Sequence, residues 1–564
     1  MKLGNDLLEG APAAKTFELP LLRQRLIPPP FPLRIYGKFD GKSKAYEVNM
    51  GKRKREKPGL GESVDLPVGV ERKKKLLDGP PDSLATPVTV QIIVGTYEKV
   101  LHGVTATVTG QINSEQPLGV EFADTFLLSP HGSAIRCLTI SPPSSPDSAK
   151  SQKVILASGS SDQIINLYHI STVAPSKQKP KGPLIPTLGG NKIKENPKNR
   201  ELGSLQYHSA SVNALYFPTR SKLLSVADDN TIAVARTRDW TVLSTIKVPI
   251  PKAHGRPSGD TAPLGGTPSG VNDLAIHPSM KLIVSVGKGE KCMRLWNLIT
   301  GKKAGVLNFE RDLLQGIGEG RWASGEGRRV EWNILGEEFV VGFERGCVVF
   351  GMDSKPKCRI LPSPNTKIHQ LHYMTLSDDS NAVKDILAIS TEDGRILFYS
   401  TASVPDSKST EPSSKPEIPI CEAIGQMGGA SEGLTGRIKD FEVLKVSNSQ
   451  DLLIVTGSSD GAIRLWLLDE AELTEKSSVP ERPKNDSENP ETHASSDAKA
   501  NAAIAQVGSL LGTYEAGNRI TCLKAFVMLD SGNSKANGLV EGNNANRANG
   551  LEGNKHSSLS SQSP

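Results

Sequence analysis

Cysteine, aromatic residues and long apolar runs are all scarce in this chain of 564 residues. Its six cysteines include no CxxC pair, and most fall on apolar segments. That pattern indicates reduced, buried thiols of an intracellular protein rather than a disulfide framework or a zinc site. No stretch is long and apolar enough to cross a bilayer, and Asp6 and Glu9 fall where a secretory signal would be apolar. We therefore expect no membrane partner.

Motifs of catalytic chemistry are missing as well. GxxxxGK[ST], HExxH and GxSxG do not occur, and GKS at 41–43 lacks the glycine that a phosphate loop needs. The glycine cluster at 316–320 has no βαβ unit around it and is predicted to be a loop. His369 and His372 are three positions apart on a predicted strand, which places them on opposite faces and argues against a shared metal. We expect no enzyme: no catalytic residue, no cofactor, no metal and no small-molecule substrate.

A phrase that recurs along the chain indicates the fold. ILASGSSDQIINLY (155–168) returns as LIVTGSSDGAIRLW (453–466), each copy with an apolar strand, a tight turn ending in Asp and a second strand ending in an aromatic residue. Asp suits such a hairpin because it tolerates unusual backbone angles and bonds nearby amides. One supersecondary unit is therefore used several times.

Weaker copies of the phrase lie before and between these two. They span 92–104, 223–235, 282–296, 339–351 and 386–399. Most copies follow a further predicted strand, and these strands lie at 133–141, 211–218, 270–278, 328–334, 367–374 and 436–444.

These phrases resemble WD40 repeats, in which each blade is a four-stranded antiparallel sheet and the blades pack radially around a central channel. In that family a turn Asp, a His, a strand Ser or Thr and a Trp form a buried polar network. The matching positions are His131, Ser158, Asp162, His208, Ser225, Asp229, Trp296, Asp393, Thr456, Asp460 and Trp466. No blade keeps all four residue types, so the resemblance implies incomplete networks with a structural role only.

The two ends of the array predict how it closes. RITCLKAF (519–526) is typical of an inner strand with no hairpin after it, and 92–104 is typical of the middle of a blade with no inner strand before it. Together they make one blade, which completes seven and removes the open sheet edges. The expected fold class is all-β: a seven-bladed WD40 β-propeller with a disordered N-terminal leader, inter-blade insertions and a disordered C-terminal tail.

Domain boundaries follow from composition. The leader is assigned to 1–87, the propeller to 88–529 and the Asn/Gly/Ser-rich tail to 530–564. Residues 1–49 differ from the rest and Met50 resembles a natural start, so 1–49 is expected to be an extension or a misassigned gene start. Disordered insertions are predicted near 171–206, 250–269, 402–432 and 470–507.

The leader contains two compact basic clusters. They are Lys52, Arg53, Lys54 and Arg55, and Arg72, Lys73, Lys74 and Lys75. In a flexible segment such clusters are read by nuclear import receptors, the interpretation we favour, or bind phosphates; the alternative is a solvated tail without function. A second basic segment, 177–200, is interpreted as a solvated insertion, and contact with RNA phosphates is its alternative.

The order of the phrases narrows the resemblance to one WD40 subgroup. The segments at 93–103, 270–309, 328–341 and 517–526 are similar to the p21-activated-kinase-interacting-protein-like proteins, which include the fungal "maintenance of killer" factor. The segment at 270–309, with its GVNDLAIHPS opening and later RLWNL, is the most specific of the four.

That resemblance implies a non-catalytic scaffold that assists assembly of the large ribosomal subunit and pre-rRNA processing in the nucleus and nucleolus. Its partners would be pre-ribosomal large-subunit proteins and particles, with indirect or weak contact with pre-rRNA. The family also implies an alternative, a signalling adaptor that binds and inhibits a p21-activated-type protein kinase. A generic ubiquitin-ligase or chromatin adaptor is a third interpretation. Tyr207 and Trp240 are candidate partner contacts, and packing of Trp240 on the next blade is the alternative.

Overall fold

The computed structural model describes residues 87–110, 119–143, 153–174, 196–251, 269–320, 323–377, 383–402, 418–446, 451–474 and 504–529. In these ranges the chain forms 28 strands arranged as seven four-stranded antiparallel sheets. Each sheet is one blade of a β-propeller, and the predicted all-β, seven-bladed fold class is confirmed. The two basic clusters of the predicted leader lie outside the described residues, and so does the predicted tail.

The blades follow one another along the chain, apart from the blade that the two ends share. The strands before blade 1 are β1 (Val88–Thr96), β2 (Leu101–Thr109) and β3 (Gly119–Leu128). Blade 1 contains β4 (Ile135–Ile140), β5 (Lys153–Ser160), β6 (Ile165–Ser171) and β7 (Arg200–Leu205). Blade 2 contains β8 (Val212–Thr219), β9 (Lys222–Ala227), β10 (Thr231–Arg236) and β11 (Val242–Lys247). Blade 3 contains β12 (Val271–Ile276), β13 (Leu282–Gly287), β14 (Cys292–Asn297) and β15 (Lys302–Asn308).

The second half of the chain repeats this arrangement. Blade 4 contains β16 (Arg329–Trp332), β17 (Glu338–Gly342), β18 (Cys347–Gly351) and β19 (Pro356–Ile360). Blade 5 contains β20 (Ile368–Ser377), β21 (Val383–Thr391), β22 (Arg395–Ser400) and β23 (Ala423–Gly428). Blade 6 contains β24 (Ile438–Lys445), β25 (Asp451–Ser458), β26 (Ala462–Asp469) and β27 (Ser509–Glu515). The last strand is β28 (Ile520–Val527).

Helical segments are short and lie between strands. The described residues contain α1 (Arg311–Gly316), α2 (Glu470–Thr474) and a 3-10 turn (Ala430–Glu432). No helix in the described ranges combines the length and the apolar character that crossing a bilayer requires.

Blade 7 is built from both ends of the chain. β28 pairs antiparallel with β1, from Val90 opposite Val527 to Gly95 opposite Cys522, and β1 continues the sheet through β2 and β3. Because β28 supplies the inner strand, β1 has no free edge facing the channel. The predicted closure by strands from both ends is confirmed.

The inner strands form a closed ring. Each inner strand packs against those of the two flanking blades, in the order β28, β4, β8, β12, β16, β20, β24 and back to β28. The second and third strands of a blade are covered on both faces by neighbouring blades, and all six residues of β22 are buried. Outer strands contact solvent instead: β11 exposes every residue except Ile246. Burial of the middle strands is therefore the main stabilising term of the fold.

The predicted insertions are narrower than the sequence analysis expected. The range near 171–206 contains the outer strand β7, the range near 402–432 contains β23, and the range near 470–507 contains α2. Outer strands are half exposed, so they lack the apolar alternation that identifies a strand in sequence. Leu473 of α2 and Val507 are buried together in one apolar cluster.

Candidate functional site at the channel mouth

A repeated backbone irregularity shapes one end of the central channel. In six of the seven inner strands the pairing register skips the second residue of the strand. The six skipped residues are Arg136, Asn213, Asn272, His369, Lys439 and Thr521. A bulged residue is not paired with the neighbouring strand, so its side chain departs from the regular alternation between the two faces of the sheet. We call this end of the channel, defined by the six bulged residues with Arg328 and Arg329 of blade 4, the channel mouth.

The neutral residues of the channel mouth join neighbouring blades. Asn213 Nδ2 donates to the carbonyl of Val271 at 2.8 Å, and Asn272 Nδ2 donates to the carbonyl of Gly327 at 2.9 Å. Thr521 Oγ1 donates to the carbonyl of Ile135 at 2.6 Å. These bonds tie the start of one inner strand to the next, so the neutral positions are structural.

The charged residues of the channel mouth surround a cavity. Its volume is about 310 Å³, and it is lined by Arg136, Asn213, Asn272, Glu326, Arg328, Arg329, Ile368 and His369. Lys439 adjoins this lining because its Nζ lies 3.3 Å from Nε2 of His369. Three arginines, one lysine and one histidine therefore converge on a space of side-chain size.

The electrostatic environment at this place is strongly positive. Burial, together with the positive charges of Lys439 and Arg329, lowers the pKa of His369 to about 4, so the imidazole is neutral at physiological pH. Burial and the nearby Arg437 and Arg519 also lower the pKa of Lys439. Both pKa shifts have the same causes: the groups are buried and positive charge is already nearby, so adding a proton here is unfavourable.

Acidic side chains lie around the cations but do not neutralise all of them. Glu344 Oε2 is 3.1 Å from Arg328 Nη2, and Asp273 Oδ2 is 3.9 Å from Arg329 Nη1. Burial raises the pKa of Asp273 to about 6. Within the described residues, Arg136 has no ion-pair partner and Lys439 has no carboxylate within ion-pair distance. The mouth therefore has a net positive centre inside a mixed rim.

Two blades contain the histidine networks that the family resemblance implied. In blade 1 the Nδ1 of His131 is 3.1 Å from Asp162 Oδ2, and its Nε2 is 2.8 Å from Ser158 Oγ. Since a carboxylate only accepts, Nδ1–H donates to Asp162, and burial lowers the pKa of His131 and keeps the ring neutral. The structure thus brings the three residues together beneath the blade's turn.

Blade 2 repeats this arrangement. His208 Nδ1 is 3.1 Å from Asp229 Oδ2, and Nε2 is 2.7 Å from Ser225 Oγ. Burial opposes ionisation of Asp229, but hydrogen bonds from His208, from the Thr231 hydroxyl and from the amide of Ser209 hold its pKa at about 2.

In blades 3, 5 and 6 a buried arginine takes the place of the histidine. Arg464 Nη2 donates to Asp460 Oδ2 and its Nη1 donates to Ser458 Oγ, both at 3.0 Å. Arg395 donates to Asp393 at 2.6 Å and Arg294 donates to Glu290 at 2.5 Å. Sequence reasoning missed these arginines, although an Arg four residues after the turn acid in 290–294 and 460–464 was a visible signal.

The two network tryptophans have hydroxyl partners within their own blades. Trp296 Nε1 donates to Ser285 Oγ at 2.8 Å, and Trp466 Nε1 donates to Thr456 Oγ1 at 3.3 Å. Both tryptophans are buried, so these contacts are structural.

Tyr207 and Trp240 are not an exposed recognition pair. Trp240, like Leu202 and Leu205, is partly buried against an apolar cluster shared by blades 1 and 2, and the Tyr207 hydroxyl donates to the Trp240 carbonyl. The alternative of packing on a neighbouring blade describes Trp240 better, because that cluster includes blade 1 residues such as Ile165 and Leu167.

The histidines and cysteines of the described residues form neither a candidate metal site nor a disulfide bond. No group of three or more His, Cys, Asp and Glu side chains there could hold a metal ion. His369 contacts Lys439, whereas His372 Nδ1 is 3.2 Å from Glu331 Oε2. All six cysteines are free and buried.

Seven sheets around a channel, with a turn acid bonded to a buried His or Arg in each of five blades, define a WD40-type β-propeller.

No family model matches the chain. It is 23% identical over 381 residues to a Xenopus laevis protein named "p21-activated protein kinase-interacting protein 1-like", covering 68% of this chain and 75% of that one. It is 24% identical over 399 residues to "Protein MAK11" of Saccharomyces cerevisiae, covering 67% and 77%. "Shk1 kinase-binding protein 15" of Schizosaccharomyces pombe is 25% identical over 328 residues, covering 57% and 72%. The chain is a WD40-type propeller protein that is similar to these three relatives.

Proposed function

We propose that this propeller is a non-catalytic protein-interaction scaffold that acts as an assembly factor in biogenesis of the large ribosomal subunit and in pre-rRNA processing. The observation that carries the proposal is the similarity to Protein MAK11, which extends over 67% of this chain and 77% of that protein. The resemblance to this subgroup supports the ribosomal role, and the propeller supplies a rigid platform for it.

The geometry supports binding rather than chemistry. Buried His and Arg networks fix the turns of five blades, and side-chain bonds between inner strands fix the channel mouth. A surface held in this way presents charged groups without rearrangement, which lowers the ordering cost of binding a partner. Pre-ribosomal large-subunit proteins and particles are the proposed partners, with contact with pre-rRNA indirect or weak.

Depletion of the protein from its own cells tests this function. We expect precursors of the large-subunit rRNA to accumulate while small-subunit rRNA processing continues. Re-expression of the full chain should restore processing. Normal large-subunit rRNA levels after complete depletion would overturn the ribosomal role.

We propose a nuclear and nucleolar location for the same reason. The clusters Lys52–Arg55 and Arg72–Lys75 have the composition of import signals. Deletion of 52–75 should move a tagged chain out of the nucleus, whereas a deletion of equal length within 530–564 should not. Unchanged nuclear location after the first deletion would refute the role of these clusters.

A second candidate function comes from the printed names of relatives. The Xenopus laevis relative is named as interacting with a p21-activated protein kinase, and the Schizosaccharomyces pombe relative as binding Shk1 kinase. A signalling adaptor of this kind would bind and inhibit such a kinase directly. Mixing the purified chain with a purified p21-activated-type kinase tests it: inhibition with stoichiometric binding supports the adaptor, and no binding excludes it.

A further inference from the structure

We propose that the channel mouth is a binding site for the carboxylate side chains of an acidic peptide segment of a protein partner, held chiefly by Arg136, Arg329 and Lys439. The inference rests on the proposed scaffold function and adds to it the chemistry of one partner. It has three supports: two cations, Arg136 and Lys439, that have no carboxylate partner among the described residues, a cavity of matching size, and a rim that disfavours longer polyanions.

The first support is charge that the described residues leave unneutralised. Arg136 is exposed at the second position of β4 and has no ion-pair partner within the described ranges. Among the described residues, Lys439 Nζ is hydrogen-bonded to the neutral ring of His369 alone, and burial with the nearby Arg437 and Arg519 lowers the pKa of Lys439. Arg437 is paired with Glu392 at 3.2 Å, and Arg328 with Glu344. Two cations at the centre are thus available, whereas those at the rim are engaged.

The second support is the shape of the space. The cavity of about 310 Å³ lies where the inner strands begin, so it is reached along the channel axis. A carboxylate and its short stem fit such a volume, and the Arg329 guanidinium can offer bidentate bonds to it. Arg329 is already oriented, because its Nε donates to the carbonyl of His369 at 3.3 Å. Orientation before binding reduces the entropy that the interaction costs.

The third support favours a peptide over a nucleic acid as the ligand of the channel mouth. Among the described residues, no aromatic side chain apart from His369 lines the cavity, so bases would find no stacking platform there. Glu326 is part of the lining, and Glu344 and Glu392 lie nearby beside Arg328 and Arg437. A continuous phosphate backbone carries a charge at every nucleotide and would meet these carboxylates. A peptide can place its acidic residues at the centre and neutral residues at the rim.

Fluorescence anisotropy with the purified full chain tests the proposal. The probes are labelled octaglutamate, octaglutamine and octauridylate at physiological salt. The test variant is Arg136→Gln with Lys439→Gln, and the control is Lys302→Gln with Lys303→Gln on the exposed outer strand β15, which changes net charge equally. We expect octaglutamate to bind, the test variant to weaken binding about tenfold or more, and the control to change it less than about twofold.

Three binding outcomes overturn the proposal. Absence of octaglutamate binding removes the site, and equal weakening by both double variants means that only net charge acts. Tighter binding of octauridylate, lost in the test variant, makes the mouth a nucleic-acid site instead. A second readout is the pKa of His369 by NMR, which should rise when octaglutamate binds beside it and stay unchanged with octaglutamine. The site and the ribosomal function can fail separately. If the test variant fails to bind octaglutamate but still restores rRNA processing, the protein acts in ribosome assembly without using this site. If the wild-type protein binds octaglutamate but its depletion leaves rRNA processing normal, the binding site is retained and the ribosomal role is rejected.

Discussion

Lys439 Nζ lies 3.3 Å from Nε2 of His369, across the inner strands β24 and β20 of adjacent blades. The contact joins two bulged residues, and it is compatible only with a neutral imidazole that accepts from the ammonium group. The lowered pKa values of both side chains agree with this arrangement. Positive charge at the channel mouth is therefore maintained at some cost to stability, as is common at binding sites.

Removing the charge of Lys439 should stabilise the folded state. In Lys439→Gln the desolvation cost of the ammonium group and its repulsion with Arg437 and Arg519 disappear, and we expect the free energy of unfolding to rise by about 0.5–1 kcal/mol. Urea denaturation measures it, with Lys303→Gln on an exposed outer strand as the control. A decrease for Lys439→Gln would show that the lysine is a structural cation rather than a destabilising one.

Acid should destabilise the fold through His369. Its folded pKa of about 4 is below the ordinary 6.5, so the unfolded state binds the proton first. Stability is therefore unaffected above pH 6.5 and is lost as pH falls from 6.5 towards 4, by at most roughly 3 kcal/mol given the partial exposure of the ring. His131, whose pKa is also lowered, contributes in the same direction. His369→Gln should flatten the pH profile of urea denaturation; a profile identical to wild type would contradict the assignment.

The ion pair of blade 6 should be strongly coupled, because Arg464 is buried although the Asp460 side chain is 36% exposed. A double-mutant cycle of Arg464→Met and Asp460→Ala is expected to give a coupling energy of about 1–2 kcal/mol, because Arg464 is buried and bonds both Asp460 and Ser458. The matched control is the pair Arg236–Asp239, at 2.6 Å but exposed on both side chains. Its coupling should stay below about 0.5 kcal/mol. Equal coupling in the two cycles would mean that burial does not strengthen the pair.

Closure of blade 7 should be needed for a monomeric fold. Truncation after residue 517 removes β28, including the fully buried Ile520 and Leu523, and leaves β1 with an unpaired edge. We expect loss of the cooperative thermal transition and aggregation in size-exclusion chromatography. Truncation after residue 529 retains β28 and should melt as the full chain does. A monomer with an unchanged melting temperature after the first truncation would contradict the closure.

The repeated sequence pattern was sufficient to predict the fold but not to predict the channel mouth. Middle strands such as β5 and β25 have apolar centres and are buried over nearly their whole length, so the phrases at 155–168 and 453–466 identify them directly. Outer strands such as β7 are polar and half exposed, so composition alone placed them in insertions. The bulged residues carry no common residue type, ranging from Arg136 to Thr521, and only the register of pairing brings them together. The arginines that bond the turn acids in blades 3, 5 and 6 stand in the sequence, but the WD40 pattern assigns this role to histidine.

Sedimentation of the tagged protein from cell extracts through a sucrose gradient, with every fraction probed for precursor rRNA, tests the ribosomal role most directly. The account predicts that the protein migrates with large-subunit precursors and leaves those fractions when early precursors are depleted. Migration only as a light species, free of precursor rRNA, would contradict the assembly-factor role and favour the kinase adaptor.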